Sequence, residues 1–171
     1  MRPAYWRRMD VAARRLTPFG LTLILVVLNV VPLHVPALAM VFPVLPLIAI
    51  YHWAIYRPEL MPYYAVFFIG LLQDILTNMP IGVNALVFLG VHGAVISQSR
   101  FFTGKSFAIV WLGFALVAAA ATLANWVLIS VYNMALISPG AVFFQYLLTL
   151  GCFPFFAWVF LRWQQTFLEH G

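Results

Sequence analysis

Long stretches of this chain carry no charge. No Lys, Arg, Asp or Glu stands between Arg15 and Arg57, or between Lys105 and Arg162, and Asp74 alone interrupts the interval from Glu59 to Arg100. Runs such as PFGLTLILVVLNVV, residues 18–31, have nothing with which to face water. Hydrophobic residues make up 65% of the chain and charged residues 8%, against about 25% charged in soluble domains. The composition therefore requires a bilayer as solvent, where only helices and closed barrels satisfy the backbone. Barrel strands alternate apolar and polar residues; these runs do not alternate, so they predict helices. At about 20 residues per span, the length admits at most about seven helices and no sizeable soluble domain.

The breaks VPLHVP, RPEL, TNMPIG, RFFTGKS and YNMALISPG, most of them containing Pro or Gly, divide the chain into six segments. The expected spans are about 17–33, 37–56, 60–76, 82–99, 106–131 and 141–163. The fold class is an all-α membrane protein with six transmembrane helices. Residues 1–16 form a basic arm, 17–163 the membrane domain and 164–171 a short tail. Pro43 and Pro46 fall inside the second span, which predicts a kink there. In the arm, Trp6, Met9, Ala13 and Leu16 recur at helical spacing with Arg between them. That suits either an amphipathic helix on an anionic membrane surface or a disordered tail whose arginines set topology.

Lys and Arg orient the spans. The arm holds Arg2, Arg7, Arg8, Arg14 and Arg15; Arg57, Arg100, Lys105 and Arg162 fall in the breaks on the arm's side, and the three opposite breaks contain no Lys or Arg. Both termini are therefore expected in the cytoplasm. A competing expectation for the first segment is a cleaved signal peptide, with a small-residue site at Ala37–Ala39.

Reactive constellations are scarce. The acids are Asp10, Glu59, Asp74 and Glu169. The topology sets Asp74 apart from the other three, so no carboxylate dyad forms within one chain. No G-x-S-x-G, H-E-x-x-H, Walker loop or G-x-G-x-x-G occurs, and Cys152 has no second cysteine to join. The sequence predicts no enzyme, no metal, no organic cofactor and no nucleic-acid partner; lipid is the counter-charge for the arm.

The remaining candidate is the stretch GLLQDILTNMPIGVNAL, residues 70–86. If the third helix starts near Leu60, Asp74 lies about 21 Å along it. An acid at that depth needs a partner or a proton. Nearby donors are Gln73, Thr77, Asn78 and the N–H groups that open the fourth helix at Gly82–Asn84. Asp74, Pro80, Gly82 and Asn84 thus form a hairpin tie or a partner site, with Pro80 stiffening the turn and Gly82 allowing positive φ or close approach. A proton or cation site at Asp74 is the competing reading. Asn84 and Asn125 read as interhelical hydrogen-bond partners, and His92 as a core imidazole. Gly90, Gly93, Ala115, Ala119, Ala120 and Ala124 stand in small-xxx-small spacing. They are helix-packing candidates, either within the bundle or against a partner's helix.

The same stretch resembles the segment between the third and fourth helices of the bacterial rod shape-determining protein MreD family, matching at Gly70, Leu71, Asp74, Pro80, Gly82, Ala85 and Leu86. The long Arg-rich arm and the Pro-rich second helix depart from many members. The resemblance implies a non-enzymatic inner-membrane scaffold of the cell-elongation machinery. Such a subunit would bind the single-span protein MreC and link cytoskeletal MreB filaments to the peptidoglycan synthases. The family is also similar in architecture to the substrate-binding subunits of energy-coupling-factor vitamin transporters. That suggests an alternative role, a small-molecule-binding transporter subunit with a polar pocket near Gln73, Asp74, Asn78 and Asn84.

Overall fold

The computed structural model describes residues 4–30, 44–56, 58–102, 104–136 and 138–167. These residues form six α-helices: α1 (Ala4–Val30), α2 (Leu45–Tyr56), α3 (Tyr63–Leu76), α4 (Val83–Phe102), α5 (Phe107–Asn133) and α6 (Pro139–Phe167). A short 3₁₀ turn, Pro58–Leu60, precedes α3. Among the described residues there are no strands. Helices α1, α4, α5 and α6 are long and apolar enough to cross a membrane, while α2 and α3 are apolar but shorter.

Helix α2 is the axis of the bundle. Every residue from Leu45 to Ile55 is buried, as a helix apolar on all faces should be. It packs against α1, α4 and α6; α3 lies along α4, and α5 fills the space between α4 and α6. Burial of apolar surface does not drive such packing when lipid is the solvent, so shape and interhelical hydrogen bonds must. Both are present. The Tyr51 hydroxyl on α2 donates to the Val110 carbonyl on α5 at 2.8 Å, the Tyr146 hydroxyl on α6 donates to the Ala115 carbonyl at 2.9 Å, and the Val44 N–H donates to the Thr149 hydroxyl at 3.1 Å.

Several boundaries differ from expectation. α1 runs from Ala4 through Leu16 and Pro18 into the first span without a break, so the arm continues that helix rather than starting a separate one. Of the two prolines expected to kink the second segment, only Pro46 is among the described residues. Pro46 sits in the first turn of α2, where a missing N–H leaves no bond unmade, and Pro43 and Ala37–Ala39 lie outside the described residues. The third helix begins at Tyr63, not near Leu60, because Pro58–Leu60 form the tighter turn and Pro62 caps the helix with extended backbone. α6 extends to Phe167, so the expected tail begins inside a helix.

Gly70 marks a close approach of two helix backbones. A Cβ at Gly70 would lie 2.3 Å from the Ala85 Cα and 2.6 Å from its nitrogen. Only a glycine lets α3 meet the α4 backbone there, and this contact brings the last turn of α3 onto the first turn of α4.

Candidate functional site

The turn between α3 and α4 is built in two steps. First, α3 stops. Asn78 adopts the left-handed conformation with φ 55°, the Met79 N–H returns to the Asp74 carbonyl at 3.0 Å and the Asn78 N–H to the Ile75 carbonyl at 3.5 Å. This is the Schellman closure, with Asn in the position usually given to Gly and Pro80 just after it. Second, α4 starts. Gly82 takes φ 104°, and its carbonyl accepts the Leu86 N–H at 2.9 Å.

Asp74 joins the two steps. It is fully buried. Its Oδ2 accepts the Gly82 N–H at 2.9 Å. Its Oδ1 accepts the Asn84 N–H at 3.0 Å and the Asn84 side-chain Nδ2 at 2.9 Å. Two of these donors are among the backbone N–H groups that a helix start leaves without intrahelical partners, and the positive end of the α4 dipole faces the carboxylate. Because α3 starts at Tyr63, Asp74 is eleven residues along it, about 17 Å rather than 21 Å. Of the donors that the sequence suggests, Gly82 and Asn84 reach the acid. Thr77 instead donates its hydroxyl to the Gln73 carbonyl at 2.6 Å, Gln73 donates to Asn29 Oδ1 on α1 at 2.6 Å, and Asn78 shapes the helix end.

The network continues across the bundle. Asn84 gives its Nδ2 to Asp74, so its Oδ1 faces away and accepts Asn125 Nδ2 from α5 at 3.1 Å. Asn84 and Asn125 are therefore bonded across two helices. Beside them lies a cavity of about 450 Å³, lined by Asn29, Gln73, Asn84, Asn125, Trp126 and Ser138 together with apolar residues of α2, α4 and α5. Asp74 and Asn78 are not among its walls.

The small-residue candidates fare differently. A Cβ at Gly93 would lie 3.8 Å from the Tyr63 side chain, an ordinary contact, and Ala115 is half-buried with its carbonyl bound by Tyr146. Gly90, Ala119, Ala120 and Ala124 are exposed on the surface of the chain, so they do not pack helices within it. Close approach is made instead at Gly70 and at Gly113, where a Cβ would lie 2.4 Å from the Phe102 ring and 2.8 Å from the Tyr51 hydroxyl. Small-residue spacing marks faces able to approach a neighbour but not which of them does. His92 is buried and edge-on to Tyr63, with ring centroids 5.1 Å apart. Among the described residues, no group of three or more His, Cys, Asp or Glu is placed to hold a metal ion.

The model of the rod shape-determining protein MreD matches residues 9–169. The chain belongs to the MreD family. That makes it a multi-pass membrane protein of the rod-shape system. An uncharacterized protein of Rickettsia prowazekii (strain Madrid E) is 28% identical over 111 residues, covering 64% of this chain and 62% of that protein. The match thus spans under two thirds of that relative's length. No solved structure matches the chain.

Proposed function

We propose that this MreD-family chain is a non-enzymatic scaffold of the cell-elongation machinery in the bacterial inner membrane, with both termini cytoplasmic. It binds a single-span MreC-like protein, and through it connects MreB filaments with peptidoglycan synthases. Residues 1–16 serve as a basic cytoplasmic extension and 17–163 as the membrane domain. The observation that carries this reading is the saturation of Asp74 by its own hairpin. Both carboxylate oxygens accept backbone or side-chain N–H groups from Gly82 and Asn84. A carboxylate so engaged fixes a loop better than it relays protons. Apolar side chains project from the loop and from the end of α3: Ile81 is 76% exposed and Ile75 60%. Across the turn after α5, Met134 and Leu136 are also exposed. A rim with projecting aliphatic residues suits recognition by another membrane protein, and the exposed Gly90, Ala119, Ala120 and Ala124 suit close approach of its helix.

Affinity purification from membranes in mild detergent tests this. Recovery of a single-span wall-elongation protein is expected. Ile81→Ser should leave the chain folded and reduce that recovery several-fold. Recovery of an ATPase pair with a large membrane coupling subunit would replace the scaffold by the transporter reading.

A further inference from the structure

A second hollow opens at the other end of α3, where that helix starts beside α1. The 3₁₀ turn Pro58–Leu60 and α3 both pack against α1. Between them lies a groove of about 550 Å³, lined by Arg15, Leu16 and Phe19 of α1, by Glu59 of the turn, and by Tyr64 and Phe68 of α3. Arg15 and Glu59 are its charged lining among the described residues. Both stand where an uncharged run begins: no charge follows Arg15 until Arg57, and none follows Glu59 until Asp74. One turn on from Arg15, α1 offers Phe19; nine residues on from Glu59, α3 offers Phe68. The groove therefore has a charged mouth at the membrane–water boundary and an apolar floor on the lipid side. It is open to that lipid. Arg15 and Glu59 are exposed, as are Leu16, Tyr64 and Phe68.

An occupant has to match both parts. A water-soluble ion would leave Phe19 and Phe68 uncovered, and a plain hydrocarbon would leave the charges unused. A phospholipid covers both, and the two charges choose its headgroup. Arg15 presents a guanidinium fork that fits phosphate oxygens. Glu59 presents a carboxylate, whose several acceptor sites can take an ammonium N–H beside another partner. An anionic headgroup gains Arg15 but is repelled by Glu59. A quaternary ammonium brings charge but has no N–H to give. A phosphate and a primary ammonium on one headgroup use both residues. We propose that the groove between α1 and α3 binds a phospholipid of the phosphatidylethanolamine type, with its phosphate on Arg15, its ammonium at Glu59 and an acyl chain along Phe19 and Phe68. This goes beyond the scaffold role and rests only on the chain's residence in a membrane.

The test offers the full chain in detergent an equimolar mixture of phosphatidylethanolamine, phosphatidylcholine and phosphatidylglycerol with identical acyl chains. Native mass spectrometry reads which lipid stays bound. Phosphatidylethanolamine should be retained about threefold over either competitor, the worth of one exposed ion pair. Glu59→Gln should remove that preference. Arg15→Gln should lower phosphatidylethanolamine retention about threefold. Arg7→Gln takes the same charge from the same helix but does not line the groove, so it should change nothing. All three substitutions fall at exposed positions, and the competition on the parent chain decides by itself should a variant misfold. The proposal is overturned if either competitor is retained as well as phosphatidylethanolamine, if Arg7→Gln costs as much as Arg15→Gln, or if folded Glu59→Gln keeps the preference.

Discussion

The two ends of the bundle are held together by different chemistry. At the hairpin end, α3, α4 and α5 meet through Asp74, Asn84 and Asn125, with each bond directional and each group buried or nearly so. At the opposite end, α2, α5 and α6 meet through rings. Phe114 and Phe153 stack at 4.3 Å, Tyr51 meets both edge-on at 5.2 and 5.7 Å, and Trp53 and His52 lie against Phe160. Lys105 and Arg162 rest over Phe101 and Trp158 there. Rings tolerate small shifts, since each contact is weak and replaceable. A buried carboxylate does not, since losing one partner leaves others unsatisfied. The hairpin end should therefore be brittle and specific, and the aromatic end forgiving.

The largest effect is expected at the backbone contact that holds the brittle end closed. Gly70→Val puts side-chain atoms where the Ala85 backbone already stands. Nothing there can give way, so the loss should exceed the ~3 kcal/mol at the top of ordinary overpacking. Size-exclusion chromatography in detergent should show little monodisperse protein. Next comes Asp74→Asn, which keeps the volume but turns an amide N–H₂ toward donors at Gly82 or Asn84. About 2–3 kcal/mol should be lost, read as a lower denaturation midpoint in detergent, with partner recovery falling in step. An Asp74→Asn chain that folds and assembles normally would remove both the tie and the contrast between the ends.

Gly113→Ala probes the aromatic end. Its Cβ would meet the Phe102 ring and the Tyr51 hydroxyl, but Phe102 is only half-buried and its ring can swing aside. The expected loss is about 1 kcal/mol, at the mild end of overpacking. Tyr51→Phe is the gentlest. It removes one hydrogen bond to the Val110 carbonyl and keeps every ring contact, for about 1 kcal/mol or less. If Tyr51→Phe proves as harmful as Asp74→Asn, the aromatic end is not the tolerant one.

Much of the site could be read along the chain because it is local. Asp74, Gly82 and Asn84 lie within ten residues, and one turn brings the acid to the free N–H groups of the next helix. Gly82 at positive φ follows from the same short loop. Other features needed partners distant in sequence. Asn29 and Gln73 meet across α1 and α3, and Asn84 and Asn125 across α4 and α5; apolar periodicity says nothing about which polar residues will face each other. The role of Asn78 could have been found from an Asn two residues before Pro80, a known way to end a helix. The small-residue stripes show the reverse failure: spacing is visible in sequence, but the face it covers is not.

By itself, the sequence determined the solvent, the helical class and the place of the one membrane-depth carboxylate. Charge and hydropathy are properties of single residues and short runs, and lipid leaves few ways to satisfy a backbone. Tertiary structure alone decided that α2 is the buried axis, that Gly70 rather than the alanine stripe makes the close crossing, and that Gln73 bonds Asn29 while Asn125 bonds Asn84. Those outcomes depend on which helix faces meet, and helix rotation is fixed only when all six pack together.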